Sequence, residues 1–190
     1  MKHFKLRTDL TIKVDEKTLY RIEATKDIEK FGVKVGDLGG YIEKEYNLSG
    51  NAWVSGNAWV SGNAWVSGDA LVCDNAWVSG DAFVYGNAKV SGDALVSGDA
   101  RVCGDAEVRC DKIEKENDLI NITSNSGSYN ITITPKHIKI GCQYHSKTAW
   151  FNFTDNEIMK MDCEKAVEWW RTWKPILKQI CDSFASNKGE

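Results

Sequence analysis

The chain has 190 residues, a formal net charge of −3 and a pI near 5.7, enough length for one or two domains with a sizeable core. That balance gives no basic field to draw the protein onto nucleic acid or an acidic membrane surface, and no apolar run approaches the ~20 residues of a membrane span. The opening Met-Lys-His-Phe-Lys-Leu-Arg carries no apolar stretch of a secretion signal, so a cytoplasmic protein is expected, with neither membrane nor nucleic acid among its partners.

Residues 3–24 alternate apolar and polar side chains (FKL, LTIKV, LYRIEA) around the turn Asp15-Glu16-Lys17. This is the pattern of two or three short strands. Gly36, Gly39 and Gly40 follow, marking a tight passage into the next segment.

From Asn51 the chain runs NAWVSG NAWVSG NAWVSG DALVCD NAWVSG DAFVYG NAKVSG DALVSG DARVCG DAEVRC, ten hexads without an insertion. Valine recurs at every sixth position from Val54 to Val108, with alanine two residues before it. Ile42 and Leu48 carry the frame backwards, giving twelve hexads, or four coils at three hexads per coil. Ala and Val two apart face the same side of a strand, and the Gly-Asn or Gly-Asp that follows accepts the backbone of a corner. Three strand–corner units close a triangular coil, and coils rise by about 4.8 Å each. The fold class is therefore mainly β. A left-handed parallel β-helix is predicted over residues 41–110, with residues 1–40 as an N-terminal cap over its open sheet edge. Residues 18 apart stack on one outer face. The three ladders are Tyr41-Trp59-Trp77-Leu95, Asn47-Trp65-Phe83-Arg101 and Trp53-Leu71-Lys89-Glu107. Exposed indoles in such number need a cover, which the N-terminal strands, the C-terminal module or neighbouring subunits could supply.

After Cys110 the charged run 111–118 reads as a linker. Residues 119–141 (LINIT, YNITIT, HIKIG) read as a three-stranded meander turning at Ser124–Ser128 and at Pro135-Lys136. Ser146 is placed to cap a short helix carrying Trp150, and Thr154 with Glu157 has capping-box spacing. Ala166, Trp169, Trp170, Trp173, Leu177, Ile180 and Phe184 fall at helical spacing, an amphipathic helix expected to kink at Pro175. Residues 119–190 thus form a small α+β module. The six cysteines have neither C-x-x-C spacing nor a zinc pattern, so free, mostly buried thiols are expected, with no disulfide, metal or cofactor.

At GDLGGYIEKEYNLSGNAWV, preceded by LYRIEATKDI and followed later by IKIGCQYHSKTAW and a Trp-rich helix, the chain resembles a family of phage- and prophage-encoded hexapeptide-repeat proteins. Members often carry an acyltransferase label, which is an analogy of fold. Hexapeptide acyltransferases use a histidine beside the coils as general base. Here His3, His137 and His145 all lie outside the hexads, and no coil carries an inserted loop. A base must come within hydrogen-bond reach of its substrate, which only the C-terminal module, folding against a neighbouring subunit, could achieve for His145. Cys142 and His145 are close in sequence, and a structural role is expected for both.

A binding protein is therefore the expected function, with acyl transfer and structural scaffolding as alternatives. The phage resemblance implies an anti-defence role, sequestering a host nucleotide immune signal or blocking an immune protein. Cyclic trimers are the expected assembly. A nucleotide-type ligand needs rings to stack on and cations for its phosphates. Trp59, Trp77 and Trp150 are the candidate rings, Lys89, Arg101, Lys147 and Arg171 the candidate cations, and His145 completes the set.

The inside–outside frame makes a direct prediction. Val78→Asp buries an unpaired charge and is expected to give unfolded or insoluble protein. Ser79→Asp, one residue on and pointing out, should change stability by no more than about 0.5 kcal/mol. Indistinguishable thermal melts for the two variants would show the frame to be wrong.

Overall fold

In the computed structural model the described residues are 2–123 and 129–186, with side chains through 183. The turn expected at Ser124–Ser128 and the side chain of Phe184 lie outside them.

The hexads build the β-solenoid their period implies. Each contributes one two-residue strand, from Trp53–Val54 to Glu107–Val108. The strands pair in parallel on three faces along the predicted ladders: Tyr41 on Trp59 on Trp77 on Leu95, Trp65 on Phe83 on Arg101, and Trp53 on Leu71 on Lys89 on Glu107. Every repeat Ala and Val from Ala52 to Val108 is buried, as are Ile42 and Leu48. Main-chain bonds join the coils, such as Trp59 N–H to Ala76 O at 3.1 Å and Ser61 N–H to Val78 O at 3.0 Å.

The corners repeat as regularly. Gly68 sits at φ +69°, and a Cβ there would lie 3.0 Å from the backbone N of Gly86 in the next coil, so only glycine closes the corner without strain. Beside these glycines runs a ladder of side-chain amides. Asn51 donates to Asp69 (3.1 Å), Asn63 to Asp81 (3.0 Å), Asn75 to Asp93 (3.1 Å) and Asn87 to Asp105 (3.0 Å), always toward the following coil.

The N-terminal segment forms two strands, Phe4–Val14 and Lys17–Ala24, in an antiparallel hairpin. Lys17–Ala24 also pairs antiparallel with Leu38–Ile42, which in turn lies parallel to Trp59–Val60. The hairpin therefore extends one solenoid face into a seven-stranded sheet. Phe4, Ile22, Ile28 and Val33 join the solenoid core. The His3 ring lies 2.8 Å from the Ala52 carbonyl, to which Nε2–H donates, and 6.4 Å from the Trp53 ring. Trp53 is thereby buried under the cap.

At the other end the predicted linker 111–118 is replaced by one more strand. Lys112–Ile113 pairs parallel with Leu95–Val96, and Ile113 is buried with the valines. This coil is one residue short, so Asp111 takes the place that Ala58, Ala76 and Ala94 hold in the three coils before it. Its carbonyl accepts from Leu95 N–H as that of Ala94 accepts from Trp77 N–H. The meander has four strands rather than three: Ile120–Ile122, Ile131–Ile133, His137–Ile140 and Gln143–Ser146, each antiparallel to the next. Ile131, Ile133, Ile138 and Ile140 turn to the helices and form a second core with Trp150, Trp170 and Leu177.

Helix α1 (Lys147–Asn152) is capped as expected, the Ser146 hydroxyl accepting from Ala149 N–H. Thr154 and Glu157 exchange both capping-box bonds at the start of α2 (Asp155–Ser186). The break in α2 falls at Asp162 and Cys163, not at Pro175. Cys163 holds φ 60° and ψ −175°, a region nearly reserved for glycine that costs on the order of 1–3 kcal/mol. The cysteines are free, but Cys110, Cys142 and Cys163 are exposed, contrary to the buried set expected. Among the described residues no helix is long and apolar enough to cross a membrane.

Burial lowers the pKa of His3 from its ordinary value, an effect that its bond to Ala52 opposes. The folded cap therefore keeps this ring neutral where the unfolded chain would protonate it. Its contribution is complete above the ordinary imidazole value of about 6.5 and is lost as the pH falls below that value. Between pH 7 and pH 5 the wild type is expected to lose more stability in urea unfolding than His3→Gln does. Parallel losses would show that the ring does not titrate with folding.

Candidate functional site

The three faces share one repeat and differ in what covers them. On the face extended by the hairpin, Trp59 and Trp77 are half-buried and stack on each other, centroids 4.0 Å apart at 20°. The Arg21 guanidinium lies over the Tyr41 ring at 5.4 Å. This ladder is largely occupied with itself. On the second face the cap buries Trp53. At its far end Glu107 is buried, accepts from Arg109 Nε (2.7 Å) and pairs with Lys139. Burial pushes the Glu107 carboxyl up, and these two cations more than reverse it, leaving it below its ordinary value.

The third face has no cover among the described residues. Trp65 is 43% exposed, Tyr85 42% and Tyr46, at its rim, 51%. Phe83 lies between them, its ring edge-on to Trp65 at 6.0 Å. Arg101 ends the row with its guanidinium 5.9 Å over the Phe83 ring. Trp65 Nε1–H donates to Ser49 Oγ at 2.8 Å, which fixes the indole's orientation. Arg101 also pairs with Glu116 at 3.4 Å. Both partners are exposed, and such pairs are worth little, so the guanidinium can be exchanged to another anion. Rings and one cation on a flat sheet can stack a planar group and hold a negative charge beside it.

The eight residues expected to bind ligand do not converge. Trp59 and Trp77 lie on the first face, Lys89 on the second and Arg101 on the third. Trp150 is a core indole, 3% exposed, its Nε1–H donating to Ile138 O at 2.7 Å; it offers no stacking surface. Arg171 is paired with Asp155 on the exposed side of α2, and Lys147 opens α1. His145 pairs across the meander with Ile138, on the helix side, and its ring packs against Trp150 and Phe153. The rings that do face outward together are Trp65 and Phe83, neighbours on the ladder Asn47-Trp65-Phe83-Arg101, and Tyr85, which lies two residues beyond Phe83 and outside that ladder.

The histidine that the C-terminal module sets beside the solenoid is His137. Its neighbours Ile138 and Ile140 turn to the helices, so His137 and Lys139 turn to the coils. The Asp111 side chain is fully buried where the last coil ends. It accepts from His137 Nδ1 (2.7 Å), Thr134 Oγ1 (2.7 Å), Lys136 N–H (3.0 Å) and Tyr144 OH (3.0 Å). The Tyr144 ring stacks on His137, and its hydroxyl is pushed up first by burial and then by the Asp111 charge. One inward carboxylate thus clasps the module to the solenoid.

Comparison with known proteins bears on the repeat. Residues 82–98 and 88–104 match the family model described as the YdcK beta solenoid repeat. Each match covers about one coil, offset by one hexad, which agrees with the solenoid and reaches no further along the chain. No curated protein matches the sequence.

The clasp predicts a large asymmetry between two aspartates. Asp111→Ala strands buried donors and is expected to cost on the order of 3 kcal/mol in urea unfolding. Asp105→Ala, on an exposed corner, should cost no more than about 0.5 kcal/mol. Equal small losses would remove the clasp.

Proposed function

We propose that the protein works by binding rather than by turnover, holding a planar anionic ligand of nucleotide type on the Trp65–Phe83–Tyr85–Arg101 face. The observation that carries this is the uncovered state of that face: exposed rings in one row, ending in a guanidinium already poised over a ring. A base would stack there for on the order of 1–3 kcal/mol, and Arg101 would exchange Glu116 for a phosphate, a charge-assisted contact. In a homotrimer, prism faces meet around a threefold axis and the rims become clefts, so Tyr46 and Tyr85 would line the edge of each bound ligand. The resemblance to phage-encoded repeat proteins supplies the setting, an anti-defence role in which a host nucleotide signal is sequestered. Blocking of a host immune protein by the same face is the counterpart in which the occupant is a protein.

Acyl transfer is the second reading, and one observation favours it. His137 has its Nδ1 fixed by a buried carboxylate, the arrangement that orients an imidazole as a general base.

Native mass spectrometry of protein purified from bacteria tests the first reading in one measurement. The expected result is three times the 21.3 kDa chain mass, with a nucleotide retained or taken up from a panel of mono-, di- and cyclic nucleotides. Trp65→Ala and Arg101→Ala should each weaken uptake at least about tenfold, the loss of one stacking or charge-assisted contact. A monomer that takes up none of the panel would sink the proposal. Acetyl transfer from acetyl-CoA that disappears in His137→Ala would replace it with the second reading.

A further inference from the structure

The uncovered solenoid face carries two adjoining hollows. The first, of about 480 Å³, lies toward the first coil and is lined by Lys2, Glu45, Tyr46 and Asn63 together with Trp65 and Phe83. The second, of about 320 Å³, lies toward the last coils and is lined by Ser67, Tyr85 and Arg101 together with the same Trp65 and Phe83. Both are open to solvent, and both volumes fall within the roughly 300–1,000 Å³ of small-molecule sites.

The two hollows are built alike. Trp65 and Phe83 wall both of them, so these rings form the ridge between. Each hollow has an exposed tyrosine, Tyr46 in the first and Tyr85 in the second. Each also has a cation whose ion-pair partner is an exposed carboxylate: Lys2 with Glu45 in the first, Arg101 with Glu116 in the second. Exposed pairs are worth little, so both cations can pass to another anion. The ridge is ordered beforehand, because Ser49 Oγ accepts from the Trp65 indole at 2.8 Å. One planar group would fill one hollow and leave the ring and cation of the other unused. From Asn47 to Arg101 the ladder crosses three coil spacings, about 14 Å, which is longer than one nucleobase.

We infer that the ligand of this face is a dinucleotide, with one base in each hollow on either side of the Trp65–Phe83 ridge and its phosphates reached by Lys2 and Arg101. The inference rests on the nucleotide reading of the face and adds to it the number of bases and a role for Lys2. Joining two nucleotides makes the docking of the second base intramolecular, so the linked ligand binds more tightly than either half.

Isothermal titration calorimetry on the full chain compares the dinucleotides pApA, pGpG and pUpU with ADP, GDP and UDP, which carry nearly the same charge on a single base. For at least one base the dinucleotide is expected to bind about tenfold or more tightly than its single-base counterpart, the worth of one more stacked base, with one molecule per chain. Tyr46→Ala and Lys2→Ala, both at exposed positions of the first hollow, should each weaken the dinucleotide about tenfold. The same variants should leave the single-base nucleotide unchanged, since it keeps the Arg101 hollow, whereas Arg101→Ala should weaken both. Circular-dichroism melts identify a variant that fails to fold, and the other then decides. Equal affinity for the two ligand classes overturns the inference and leaves the nucleotide reading standing. So does a dinucleotide preference that the folded Tyr46 and Lys2 variants retain in full. Binding of neither class overturns both.

Discussion

Coils that hydrogen-bond main chain to main chain leave two ends, at each of which a coil's backbone groups and apolar floor face nothing. A solenoid is therefore as stable as its terminations allow. Both ends of this chain are organised by that requirement. At the N-terminal end an antiparallel hairpin continues one face, His3 donates to the Ala52 carbonyl, and Phe4, Ile28 and Val33 lie over the first coil. At the C-terminal end a shortened coil turns Asp111 inward, and the meander supplies donors to it. The first termination is mainly apolar and the second polar. The two cores stay distinct because a charged residue, with its hydrogen-bonded shell, sits between them.

The same requirement explains how much of the molecule could be read from its sequence. Strict periodicity made the solenoid, its ladders and its buried Ala and Val positions legible, because one misplaced residue would turn a strand inside out. The reading failed where the period ended. Deleting one residue at the last corner and replacing alanine by Asp111 erased the hexad signature, so the strand Lys112–Ile113 passed for a linker. His145 was expected to reach a solenoid only through the C-terminal module folding against a neighbouring subunit, whereas alternation about Ile138 and Ile140 puts His137 on the solenoid side and His145 on the helix side. The helix break at Asp162 and Cys163 carries no glycine or proline to announce it, whereas Pro175 sits within residues of helical geometry.

Aromatic residues at one repeat position have met three different fates. Trp53 is a core residue, Trp59 and Trp77 are a stacked pair, and Trp65 stands in solvent. The repeat dictates only that position 3 of each hexad points outward. What an outward indole becomes depends on which neighbouring segment reaches it, and the cap reaches the first coil on two faces but leaves Trp65 alone. For the same reason composition alone could not separate packing from binding among eight tryptophans.

The amide ladder along the corners has a direction: in each of its bonds a side-chain amide of one coil donates to an oxygen of the coil that follows. A carboxylate can only receive in such a bond, so Asn and Asp are not interchangeable along a corner, and Asp above Asp, as at Asp81 and Asp99, leaves the link unmade. Length is then adjustable in whole coils but not in arbitrary ones. Duplicating the 18 residues 51–68, whose corners are all asparagine, would extend every ladder unbroken. Duplicating residues 93–110, whose corners are all aspartate, would stack like charges at each one. The molecule can grow by copying its beginning, not its end.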